Sequence, residues 1–210
     1  MKDKFVIFCL SAILMVTLSA CSEDTSDWYA EPSRLLTADE IGGVEEVAVS
    51  EADFAAATPC GPDPLGLPKD ITDRDRHVRF DDPESDLSIV ISTQRHSLNV
   101  VEVFLKDLPT NISSGCKTPT DSLRGTWEVH PLEGFSHGGI GFHSTWQEPD
   151  SNGSTKTHSK IRVYGGIETE YSFGKILFFV MISLDAEPTP DNISLLHNLW
   201  DKQMAKLSVR

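Results

Sequence analysis

The chain has 210 residues with 32 acidic against 18 basic side chains, a formal net charge of −14. That balance argues against a nucleic-acid partner, whose phosphates are held by lysine and arginine. At 39% hydrophobic residues the chain can build a core, and its length suits one domain.

The N-terminus carries an address. Lys2 and Lys4 form a short basic region, followed by the apolar run Phe5 to Leu18. This run is shorter than the roughly 20 residues that cross a bilayer, and it has the length of a signal-peptide core. It ends in "LSAC", Leu18 to Cys21, which resembles a bacterial lipobox. The resemblance implies that residues 1–20 are removed and that Cys21 becomes the acylated first residue of the mature chain. Each buried CH₂ contributes about 0.8 kcal/mol, so several acyl chains would hold the protein on the extracytoplasmic face of a cell membrane. An ordinary secretory signal with a coincidental cysteine is the alternative. A bacterial source makes the Asn-X-Ser sequons at Asn111, Asn152 and Asn192 irrelevant.

Four cysteines are present. Cys9 leaves with the signal and Cys21 takes the lipid. Cys60 and Cys116 remain, an even pair in an oxidising compartment, which reads as one disulfide. A closed loop of this size contributes about 4 kcal/mol by the chain-entropy argument. A free thiol or half a metal site is the alternative.

Residues 21–33 are polar and aperiodic, a flexible tether. Residues 34–210 form the domain. Thr37 and Glu40 have capping-box spacing and predict a short helix from Thr37, weakened by Gly42 and Gly43, with Leu35 or Leu36 stapled to Ile41. Residues 58–76, rich in proline and aspartate, predict an ordered loop tied down by Cys60. Leu87 to Gln94 reads as a strand with Leu87, Ile89 and Ile91 on one face. Val100, Val101, Phe104, Leu105 and Leu108 recur at helical spacing, and Pro109 is expected to stop that helix.

Gly125 to His130 predicts a strand. From Ile140 the sequence alternates, with Ile140, Phe142, Ser144 and Trp146 on one face and His143, Thr145 and Gln147 on the other. Asn152–Gly153 is a strong hairpin signal. The answering strand places Ile161 and Val163 inward and Lys160 and Arg162 outward. Gly174 to Leu184 is apolar at both parities and needs cover on both faces. Thr189 and Pro190 open a last helix whose stripe is Ile193, Leu196, Trp200, Met204 and Leu207, flanked by Leu199. The fold class is α+β: a single domain with an antiparallel sheet and helices packed on it.

Gly134 to Gly138 matches G-x-S-x-G, which in serine hydrolases places the serine on a turn between strand and helix. After Ser136 come His137, Gly138 and Gly139 and then an alternating strand, so no helix can start there, and Pro131 interrupts the approach. Asp185 or Asp191 with His197 would have to complete a triad, yet His197 lies within the last helix. Serine hydrolysis at Ser136 is therefore a remote alternative, and the chain reads as non-catalytic.

Four of the seven histidines fall between positions 130 and 158. None has zinc-site spacing with an acidic or thiolate partner, so they read as solvated or hydrogen-bonding, with His143 open to a role on the non-core parity of its strand. No phosphate loop, GxGxxG or HExxH is present, and neither cofactor nor metal is expected.

The layout resembles the extracellular sensor domain of the mycobacterial PknH-type serine/threonine kinases, also found in actinobacterial lipoproteins. "LLTADEIGGV" is similar to that domain's first helix motif. Cys60 after the first segment, Cys116 after "VVEVFLKDLP", the "TWEV" strand, the hairpin around "DSNGS", "ILFFVMIS" and the final helix follow in the family's order. The likeness covers roughly residues 34–208. It departs in lacking a cysteine after Cys116, where the family commonly has a second disulfide, and in having no kinase domain. It implies a sensor-like binding module acting through a partner, with ligand and binding residues undefined. A carrier of lipid or other apolar cargo is the alternative, and it requires a large apolar cavity.

Overall fold

The computed structural model describes residues 34–49, 77–96, 98–113, 127–149, 152–171 and 174–208. In chain order these form α1 (Ala38–Ile41), β1 (Glu45–Val47), β2 (His77–Asp81), β3 (Ser88–His96), α2 (Leu98–Ser113), β4 (Trp127–Leu132), β5 (Ile140–Pro149), β6 (Thr155–Tyr171), β7 (Gly174–Asp185) and α3 (Pro190–Ser208). Cys21, Cys60, Cys116 and the 58–76 loop lie outside the described residues.

The strands make one seven-stranded sheet in the order β1-β2-β3-β7-β6-β5-β4. Every neighbouring pair is antiparallel. Strands β4 to β7 form a meander that returns to β3, and α2 lies between β3 and β4 in the chain, whose strands sit far apart in the sheet. The fold is α+β, as the sequence pattern predicts.

The two-sided strand β7 explains the layering. Val180, Ile182 and Leu184 point into a core with Leu196, Leu199, Trp200, Met204 and Leu207 of α3. Phe179 and Met181 point the other way, into a core with Leu108 and Ile112 of α2. The predicted stripe of α3 is thus the buried one, and the Thr189 hydroxyl accepts the N–H of Asn192 at 3.2 Å at its start. Leu35 and Leu36 are buried in the α3 core, and Ile41 packs against it.

The β5 alternation is as expected, with Phe142, Ser144 and Trp146 buried. Gly153, at φ +78, lies in the β5–β6 hairpin, a conformation that favours glycine.

Three expectations are corrected, and two strands, β1 and β2, are added to those the pattern predicts. Val78 and Phe80 of β2 point into the α3 core, but the strand is short and three of its five residues, His77, Arg79 and Asp81, are polar or charged.

Pro109 does not end α2, which runs on to Ser113. Proline in a helix costs about 3 kcal/mol. One further turn buries Ile112 beside Leu108, worth about 1.5–3 kcal/mol, which offsets most of that cost.

Pro131 lies inside β4 rather than interrupting it; β4 ends the strand order, and an edge strand can carry a residue without an N–H.

Lys160 and Arg162 do alternate away from Ile161 and Val163, but both are buried rather than facing water. The α2-side face is covered as well, so opposite parity no longer means solvent.

Candidate functional site: a carboxylate-rimmed groove

One concavity among the described residues is built around α1. Thr37 donates its N–H to the Glu40 carboxylate at 2.8 Å, and the Glu40 N–H returns to the Thr37 hydroxyl at 3.4 Å, so the predicted capping box is formed. Helix α1 is fastened to α3 from beneath. Lys206 Nζ bonds the Glu40 carboxylate at 2.6 Å and the Leu35 carbonyl at 2.8 Å, and Lys202 Nζ donates to the Glu40 carbonyl at 2.8 Å. The bond from Lys206 holds the Glu40 carboxyl below its usual range, against a smaller opposing effect of burial.

Gly42 and Gly43 then turn the chain into β1 at φ +84 and +73, where a side chain would be strained. Opposite stands the β2–β3 turn. Asp82 accepts the Glu84 N–H at 2.8 Å and the Ser85 hydroxyl at 2.7 Å, and these bonds hold its carboxyl below the ordinary range, led by the one from Ser85. This is an Asx-type turn with proline next in line.

Between these two walls and Leu195 of α3 lies a groove of about 740 Å³. Ile41, Val44, Leu87, Ile89 and Leu195 contribute its apolar lining, and Asp39, Glu45, Asp82 and Glu84 its acidic lining. Among the described residues no lysine or arginine lines it. The volume falls in the range typical of small-molecule sites, about 300–1,000 Å³. The capping box and the Gly-Gly pair of one wall are read from the sequence; the turn at Asp82–Ser85 that makes the other is not, although its Asp-Pro pair is a turn signal. Nor is the convergence of the two walls, because they come from distant parts of the chain.

The G-x-S-x-G stretch is placed elsewhere, against α3. The Ser136 hydroxyl donates to the Asp201 carboxylate, and the Ser136 carbonyl accepts Trp200 Nε1–H at 2.8 Å. His197 stacks on Phe135, ring centroids 3.9 Å apart. Asp185 is paired with Lys160. Among the described residues no histidine bonds Ser136, whose hydroxyl is engaged by Asp201. The glycines of this stretch serve packing: a Cβ at Gly139 would stand 2.9 Å from Trp200, and one at Gly141 would run into the Phe135 ring.

The histidines are dispersed. His77 shares a 3.0 Å hydrogen bond with the Ser92 hydroxyl, and His158 stacks on Trp146 with centroids 5.2 Å apart. His143 lies opposite His130 across β4–β5, ring centroids 6.0 Å apart, and shares a 3.2 Å hydrogen bond with the Ser159 hydroxyl. Burial, and next the nearby His130, hold the His143 imidazole below its usual range. Among the described residues no three histidine, cysteine or acidic side chains group as metal ligands.

The α2-side face also carries charge. Lys160 Nζ meets Asp185 at 2.7 Å, Arg162 Nε donates to the Ser183 hydroxyl at 3.1 Å, and Arg79 meets Asp81 at 2.9 Å. Burial pushes the Asp81 carboxyl up, but hydrogen bonds from Arg79 and Ser88 hold it net below its ordinary range. These pairs satisfy one another and read as scaffold.

No protein-family model matches the chain, and no curated protein matches it in sequence.

Proposed function

We propose that the chain is a binding module, sensor-like in role, anchored by lipid at Cys21 to the extracytoplasmic face of a cell membrane. The observation that carries the binding role is the groove between α1, the β2–β3 turn and α3, with its apolar floor and polar rim. The anchor rests on the apolar run Phe5 to Leu18 and the "LSAC" that follows it. Among the described residues no helix is long and apolar enough to cross a membrane, so in this reading attachment falls to the acyl chains. The Cys60–Cys116 disulfide and the likeness to the PknH-type sensor domain belong to the same reading. In this reading a binding signal would pass through a partner protein.

Two measurements test it. Cys21→Ala should move the protein from the membrane to the soluble fraction; unchanged fractionation would sink the anchor. Native mass spectrometry of the extracted protein should show a co-purifying small molecule that is lost in Leu195→Asp. A protein that carries nothing, and that no amphiphile stabilises against heat, would sink the groove as a ligand site.

A further inference from the structure

We infer that the groove takes an organic cation: an ammonium or amidinium group joined to an apolar body. The inference rests on the reading of the chain as a binding module and names the ligand class of that site.

The charge pattern around the groove carries it. Beside the groove two carboxylates have cations: Glu40 is held by Lys206 at 2.6 Å and Asp81 by Arg79 at 2.9 Å. The rim carboxylates differ from these two. Among the described residues the carboxylates of Asp39, Glu45 and Glu84 make neither an ion pair nor a hydrogen bond. The fourth, Asp82, is spent on its own turn and remains ionised. Four like charges thus line one concavity, and among the described residues its lining holds no cation. A concave, like-charged surface focuses its field and concentrates counter-charge. An anionic ligand would meet that repulsion with nothing to offset it.

The floor sets the other half of the ligand. Ile41, Val44, Leu87 and Leu195 are half-buried apolar side chains that an apolar body would cover. A small inorganic cation would leave that surface wet. A neutral lipid would cover it but bring its own apolar surface against the carboxylates. An amphiphilic cation satisfies both halves.

The test uses the full chain in zwitterionic lipid nanodiscs, with empty nanodiscs as blank. Isothermal titration compares 4-phenylbutylammonium with 4-phenylbutyrate, which share an apolar body and differ in the sign of the head. The ammonium should bind saturably, more weakly as salt is raised, and the carboxylate should not bind. Asp39→Asn with Glu84→Gln should weaken the ammonium about tenfold, in line with two partly screened ion pairs. Both side chains are exposed and outside the capping box, so thermal unfolding should be unchanged in that variant. Leu195→Asp should also weaken binding, through the floor.

Three results overturn the inference. Equal binding of the two probes would leave a ligand groove but remove its preference for cations. Binding of the ammonium that neither variant alters would place it elsewhere. Absence of ammonium binding would end the assignment. The membrane fractionation of Cys21→Ala and the co-purification experiment are independent of all three, so failure here is separable from failure of the binding-module reading.

Discussion

Gln203 of α3 holds Leu36 as a neighbouring strand would. Its Oε1 accepts the Leu36 N–H at 3.1 Å and its Nε2 donates to the Arg34 carbonyl at 2.8 Å. Gln203 is fully buried and is the one polar residue on the inner face of α3. The amide satisfies backbone groups of the irregular segment 34–36 that leads into α1. Gln203→Met keeps the volume but leaves a buried N–H without its acceptor. We expect a loss of about 1–3 kcal/mol in chemical denaturation, larger than for a change at exposed Ala205. A loss below about 0.5 kcal/mol would show that water replaces the amide.

Trp200 is fitted between glycines. A Cβ at Gly165 would lie 2.8 Å from its ring, and one at Gly139 2.9 Å. Gly165→Ala should therefore cost about 1–3 kcal/mol by overpacking. The cost should shrink in the Trp200→Leu background, where the ring is gone; a double-mutant cycle by urea denaturation reads this coupling directly. Additive losses would mean that Gly165 matters for its backbone and not for the ring.

The Lys160–Asp185 pair is asymmetric, with side chains 4% and 44% exposed. Losing the carboxylate leaves a buried ammonium facing a neutral group, whereas losing the lysine leaves a carboxylate that water can reach. Asp185→Asn should thus destabilise more than Lys160→Met, by about 1–3 kcal/mol after allowance for the exposure of Asp185. Equal costs in thermal or urea unfolding would contradict that ordering.

Stability should fall on mild acidification because of His143. Its folded-state pKa lies below the ordinary imidazole value, from burial first and His130 second. Between the two values the unfolded chain binds more protons than the folded one, so stability is full above about pH 6.5 and is lost as the pH falls through that region. His143→Gln should flatten unfolding free energy between pH 7 and 5. Glu40, also lowered, acts in a separate window: its contribution is present above the ordinary 4.5 and is lost as the pH falls towards its lower folded value. A variant as steep as the parent between pH 7 and 5 would assign that slope to another group.

Much of the architecture was legible as local pattern. The Thr37–Glu40 box, the alternation from Ile140, the Asn152–Gly153 turn, the two-sided apolar run of β7 and the stripe of α3 each follow from periodicity or from one turn's chemistry. Such signals depend on residues a few positions apart, so one sequence suffices to read them. The lipobox at Cys21 and the pairing of Cys60 with Cys116 are likewise read from sequence, and they stand as proposals because all three cysteines lie outside the described residues.

Tertiary structure decided what parity and punctuation left open. Lys160 and Arg162 have the alternation of solvent-facing residues but lie on a face that is also covered. Pro109 has the mark of a helix end, but burial of Ile112 offsets its cost. Ser136 sits in a catalytic spelling, but its proton points to Asp201 and its loop closes over Trp200. The groove needed Asp39, Glu84 and Leu195 to meet across more than a hundred positions of chain. Local sequence determines which conformation each segment prefers; which side chains come to share one space is set only when the whole sheet has closed, because burial and charge pairing are properties of neighbours in space.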